Sequence, residues 1–242
     1  MASVDLSLDT GIPGGTFQLR SRGTSGWPGT VTGDGSVFNG SAGGAIQDYL
    51  QNLDGGSNFT IDRLHYRFDV GGDVPADATI TAVSLFLYTN NSSQNITDAK
   101  YLKSKIAKAT SVTLNNAGTA ATTWDAIDYS VLHGDYVDVS TTQGGENEFD
   151  FGSGDLFDYV VDQHAAGTKA AFWHLTQLEI DAASGGDPPT GANTNQFNST
   201  LAPSAVRPKL TITFTAATHP NANIKLTGGS IKLSGGSLKV GV

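Results

Sequence analysis

The sequence predicts an all-β protein: two antiparallel sheets packed face to face, one short helix, and an extended repetitive C-terminal tail. Three observations predict it. Glycine is abundant, with 30 of 242 residues, among many Ser, Thr, Asn and Asp. These residues supply positive φ and side-chain-closed turns between short strands. Several segments alternate apolar and polar residues with period two, the pattern of a strand with one buried face. The last twenty residues, NIKLTGGSIKLSGGSLKVGV, repeat an apolar-Lys-apolar unit every seven positions.

Along the chain, Val4, Leu6 and Leu8 alternate with polar neighbours and read as a first strand. Phe17, Gln18 and Leu19 form a second short candidate. Residues 22–44 are irregular, and 45–50 fit either a helical turn or an extended piece. Leu64, Tyr66, Phe68 and Val70 then share one face of a half-buried strand, which Gly71, Gly72 and Asp73 end. Residues 80–88 follow as a central strand with Val83, Leu85 and Leu87 on one face. Residues 101–113 have helix-like spacing at Leu102, Ile106 and Ala109, but their β-branched end favours a strand. Residues 137–139 and 148–151 are short alternating pieces. Residues 156–164 make the best helix, with Leu156, Tyr159 and Val160 opposite Asp158 and Asp162, Asp155 as its N-cap and Gly167 as its stop. Residues 170–180 read as a buried strand. A long loop follows, and Leu210, Ile212 and Phe214 mark the closing strand, which Pro208 precedes at a tolerated position. The organisation expected is a Gly-rich region at 1–59 whose strands join the sandwich or dock on it, a sandwich at 60–216 and a tail at 217–242.

The net charge of −9 and pI near 4.8 argue against a general phosphate-binding role, because nucleic-acid affinity rests on Lys and Arg. The chain has no cysteine, so disulfides and Cys-ligated metals are excluded. The first fifteen residues lack a basic start and an apolar signal core, and no stretch has the apolar length of a membrane span. No nucleic-acid partner, no membrane and no Sec export are therefore expected.

Four segments, taken in order, resemble the DNRLRE-type β-sandwich domains. YRFDVGGDVPADATITAVSLFLY (66–88) is similar to that family's opening hairpin. Trp124 in ATTWDA matches its downstream Thr-Trp. FDFGSGDLFDYVVDQHAAG (149–167) resembles its strand, short helix and glycine. FNSTLAPSAVRPKLTITF (197–214) resembles its closing strand, although no acidic residue follows Phe197, Asn198 and Ser199. The resemblance spans roughly residues 60–215 and implies an antiparallel jelly-roll sandwich. The family occurs beside carbohydrate-active domains, in cell-surface proteins and in bacteriophage structural proteins, without a conserved catalytic apparatus, so what carries over is the fold.

Candidate chemistry is sparse. The histidines, His65, His133, His164, His174 and His219, show no zinc spacing, although His164 and His174 flank a turn and could meet across strands. Residues 145–155 gather Glu146, Glu148, Asp150 and Asp155 among glycines, the raw material of a structural calcium site, or of a solvated loop. No nucleophile elbow or phosphate loop occurs. Trp27, Trp124, Trp173 and Tyr88 are candidate sugar platforms, with Trp173 read as core.

The tail is not a coiled coil, since each Gly-Gly pair costs a helix about 2 kcal/mol and Ile, Thr and Val favour strands. Its short units gain stability by pairing with another sheet edge; a linker is the plain alternative. The expected attachment residues are Ile224, Leu226, Ile231, Leu233, Leu238 and Val240, with Lys225, Lys232 and Lys239 facing an acidic partner or opposing runaway pairing. The expectation is a non-enzymatic virion structural protein, a phage capsid decoration or cement protein made in the host cytoplasm. It would bind capsid or other virion proteins and form a homotrimer, without cofactor. The alternative is a carbohydrate-binding module for a cell-surface glycan; a glycoside hydrolase or lyase accessory domain comes third.

Overall fold

The computed structural model describes residues 1–8, 16–23, 36–40, 45–53, 58–90, 96–111, 126–183, 188, 191, 193–198 and 202–217, with side chains for all of these except 16–59, 62, 182 and 183. The strands are β1 (Ala2–Ser7), β2 (Thr16–Gly23), β3 (Ser36–Gly40), β4 (Ala45–Leu53), β5 (Asn58–Asp69), β6 (Thr79–Tyr88), β7 (Lys103–Ala109), β8 (Ile127–Leu132), β9 (Val137–Asp138), β10 (Glu146–Asp150), β11 (Lys169–Thr176), β12 (Asn193–Asn198) and β13 (Lys209–Thr215). Two helices accompany them, α1 (Asp155–Ala165) and α2 (Gln177–Ala183).

The chain is all-β, with two antiparallel sheets. The smaller runs β1-β13-β6-β10. The larger has nine strands among the described residues, along β12-β4-β5-β11-β7-β8, with β2 on β5, β3 on β2 and β9 on β7. Single antiparallel bridges join the sheets at two corners, Leu8 to Phe68 and Thr89 to Phe197.

Alternation builds the core. Leu64, Tyr66, Phe68 and Val70 point inward from β5 and its end, and all are fully buried. They meet Val83, Leu85 and Leu87 of β6, Phe149 of β10, Phe172 of β11 and Leu210, Ile212 and Phe214 of β13 in one apolar cluster. In β6, Thr81 and Ala82 are both exposed where the register with β13 shifts, as expected of a bulge.

Helix α1 lies where the sequence places it and buries Leu156, Tyr159 and Val160. Its N-cap is Gly154, not Asp155, which sits in the first turn. The C-terminus is closed by a Schellman motif: Gly167 has φ +65°, its N–H donates to His164 O, and Thr168 N–H donates to Gln163 O.

Four expectations change. Strand β5 is not half-buried, because Arg63, His65 and Arg67 on its other face are buried too. A second apolar cluster covers that face, built from Ile61, Tyr101, Ala107, Ile127, Trp173, Leu175 and Leu178. Strands β5 and β6 do not form a hairpin; they lie in different sheets. The strand expected at 170–180 stops at Thr176 and turns into α2. The reason is a capping box: Thr176 Oγ1 accepts from Glu179 N–H at 3.4 Å, and Glu179 Oε2 accepts from Thr176 N–H at 3.1 Å. Of the strand expected at 101–113, residues 101 and 102 belong to a short 3-10 turn (Ala99–Leu102), β7 takes 103–109, and 112 and 113 lie outside the described residues. Residues 45–50 are strand.

Candidate functional site

The attachment residues expected from the sequence, Ile224, Lys225, Leu226, Ile231, Lys232, Leu233, Leu238, Lys239 and Val240, lie outside the described residues, as do Trp27, Trp124 and His219. What the structure places is where that segment begins. Strand β13 ends at Thr215, Phe214 pairs with Ala2 of β1, and Thr215, Ala216 and Ala217 are exposed. The last described residues therefore lie at one end of the smaller sheet.

The outer face of that sheet is polar. Ser3, Asp5 and Ser7 of β1 are exposed, with Lys209, Thr211 and Thr213 of β13 beside them. Asp5 accepts hydrogen bonds from Thr211 Oγ1 at 2.6 Å and Lys209 Nζ at 3.1 Å. Thr211, followed by Lys209, holds its carboxyl below the ordinary carboxylate value. The Lys209 ammonium lies 4.9 Å from the Phe86 ring centre. Beyond Phe86, Glu146, Glu148 and Asp150 of β10 are exposed, while Asn147 and Phe149 turn inward.

Strand β10 is an edge: among the described residues it pairs only with β6. Thr89 N–H donates to Gly145 O, and Phe151 N–H donates to Val83 O. In an antiparallel ladder this phase turns the backbone of every odd-numbered residue toward β6 and that of Glu146, Glu148 and Asp150 toward the open side. One of those groups is engaged, since Asp150 O lies 2.8 Å from His133 Nε2. Glu146 accepts from the Tyr88 hydroxyl at 2.8 Å; burial first, then Glu146, raises the Tyr88 phenol above its ordinary value.

The residues 145–155 thus form a strand edge, a turn and a helix start. Among the described residues no group of three His, Asp or Glu is placed to hold a metal. His164 and His174 do not meet. His164 Nε2 lies 3.1 Å from Pro75 O at the end of α1, whereas His174 is in the core, its ring centre 4.8 Å from that of Phe197. Trp173 is fully buried and donates from Nε1 to Ala126 O at 2.8 Å. Tyr88 is only 6 % exposed. Neither is a sugar platform.

Two features escape a sequence reading. A cleft of about 410 Å³ opens beside the Thr89–Phe197 bridge, lined by Asn90, Gln143, Asn198, Pro203 and Val206 among others. On the outer face of the larger sheet, Arg63 and Glu179 form a buried ion pair, Nε to Oε1 at 2.9 Å, with side chains 2 % and 0 % exposed. Arg63 also donates to the Tyr129 hydroxyl at 3.2 Å. The capping-box spacing of Thr176 and Glu179 was the available signal for one half of it.

No family model matches the chain, and no curated protein matches its sequence.

Proposed function

We propose that this chain is a non-enzymatic virion structural protein, a phage capsid decoration or cement protein that attaches to neighbouring subunits through residues 217–242. The observation that carries the reading is the triple apolar-Lys-apolar repeat, which begins at Ile224, after the closing strand has ended at Thr215. Units this short have nothing of their own to bury their apolar residues against, and strand addition to another sheet supplies it.

The topology supports the accompanying proposal of a jelly roll of the DNRLRE type. Eight strands, β1, β5, β6, β7, β8, β10, β11 and β13, pair first with last and so inward: β1 with β13, β5 with β11, β6 with β10, β7 with β8. A long hairpin rolled up in this way is the jelly-roll arrangement, which viral capsid domains use. On this reading β2, β3 and β4 are an insertion that widens one sheet, and β12 is a second insertion.

The test is solution mass by light scattering, for the full chain and for a chain ending at Ala217. A trimer or larger assembly that falls to monomer on truncation is expected. An unchanged oligomeric state on truncation would remove self-association through the tail from the reading. A second reading, carbohydrate binding, is favoured by the carboxamides of Asn90, Gln143 and Asn198 around the cleft, since uncharged amides suit sugar hydroxyls. It predicts saturable glycan binding that Asn90→Ala weakens.

A further inference from the structure

We propose that the open edge of β10 is the receptor for the tail of a second copy of this chain, which adds one apolar-Lys-apolar unit to the smaller sheet as a fifth strand. This rests on the attachment reading above and names the surface it uses.

Length and pattern match. Strand β10 is five residues long, with exposure alternating out-in-out-in-out from Glu146 to Asp150. Each tail unit with its flanking residues is also five long: Asn223 to Thr227 and Ser230 to Ser234 alternate polar-apolar-Lys-apolar-polar, and Ser237 to Gly241 does so with glycine in the last place. Laid alongside β10 with its apolar pair inward, a unit sets two apolar side chains level with Asn147 and Phe149. Its lysine then falls on the outer face, level with Glu148.

Charge selects the partner. Every outward residue of β10 is acidic, so a second β10 is repelled from this edge and a lysine-bearing strand is attracted. The same face already holds a cation in this way, for Lys209 lies over Phe86, which is directly across from Glu148 in the β10–β6 register. The row would read Lys209, Phe86, Glu148, tail lysine. The backbone is ready for it, because Glu146 and Glu148 turn their N–H and C=O groups to the open side. Among the described residues no hydrogen bond or ion pair engages the Glu148 side chain. A unit seated on its own molecule's β10 would leave the chain monomeric, so the solution mass separates that arrangement from seating on a second copy.

The experiment measures solution mass at low ionic strength, where exposed charge pairs are least screened. Four full-length or truncated chains are compared: the unaltered chain, a chain ending at Ala217, Glu148→Lys, and Glu148→Lys combined with Lys225→Glu, Lys232→Glu and Lys239→Glu. The expected result is an assembly, a monomer, a monomer and a restored assembly, with the melting temperature of Glu148→Lys unchanged. If truncation gives a monomer but Glu148→Lys keeps the full mass, the β10 edge is overturned while tail-mediated attachment stands. If the unaltered chain is already monomeric, or truncation leaves its mass unchanged, self-association through the tail is overturned and the edge proposal with it.

Discussion

Arg63 and Glu179 are charges removed from water on a face that alternation alone would assign to solvent. A buried pair contributes little net stability, because desolvation offsets its attraction, but deleting one partner leaves the other charge stranded. Glu179→Ala is therefore expected to lower unfolding free energy in denaturant titration by about 3–5 kcal/mol. Replacing both, Arg63→Met with Glu179→Leu, should cost clearly less. His65 lies in the same layer, its ring edge-on to Trp173 at 4.9 Å between centres. Burial first, and Arg67 second, push its pKa down from 6.5 to about 3. The folded form thus refuses a proton that the unfolded chain accepts below about pH 6.5, so stability is full above that pH and falls as pH drops toward 3. The slope is about 1.4 kcal/mol per pH unit. Between pH 7 and pH 5 the loss should be about 2 kcal/mol in denaturant titrations, and His65→Gln should abolish most of that difference.

The helix α1 and the turn after β5 are held together where glycine meets glycine. A Cβ on Gly71 would come within 2.5 Å of the Gly167 backbone, and Gly71 N–H donates to Thr168 O at 3.1 Å. Gly71→Ala should therefore force the turn from the Schellman end of α1 and cost about 1–3 kcal/mol. Gly134→Ala, with open space around the new methyl, should leave thermal stability nearly unchanged, and melting curves of the two variants compare them directly. Strand β12 is the least readable element. Its sequence, NTNQFN, is poor in strand formers, yet all six residues are buried. Its amides serve backbone groups instead of apolar packing: Asn193 Oδ1 accepts from Thr97 and Asp98 N–H, both at 2.8 Å, and Asn198 Nδ2 donates to Val206 O at 3.0 Å. Thr97 and Asp98 are distant in sequence, 96 and 95 residues from Asn193, and Val206 lies in a 3-10 turn eight residues beyond Asn198; the period of the strand itself records neither.

For the molecule as a whole, the attachment reading gives residues 217–242 to assembly and the sandwich to folding. Ending the chain at Ala217 should change assembly and not stability: the melting temperature of a dilute sample should stay the same while the mass falls. The sheets are pinned at two corners by single bridges and face each other across one core, so among the described residues the smaller sheet offers two edges, β1 and β10, at which further strands can join. The acidic outer row makes β10 the selective one.

The amino-acid sequence by itself determined the β class, the inward face of β5, the position of α1 and its stop at Gly167. Each of these is set by neighbours within a few residues, through period-two alternation, helical spacing or the backbone freedom of one glycine. The repeat of the tail and its lysines are equally plain in the sequence. Tertiary structure alone decided that β5 is buried on both faces, that β5 and β6 belong to different sheets, and that β10 is, among the described residues, an edge whose three acids stand in a row. Those properties depend on which strands become neighbours across many tens of residues, and on what covers the far side of a sheet. Alternation records that a strand has two faces; only the packed layers determine what each face meets.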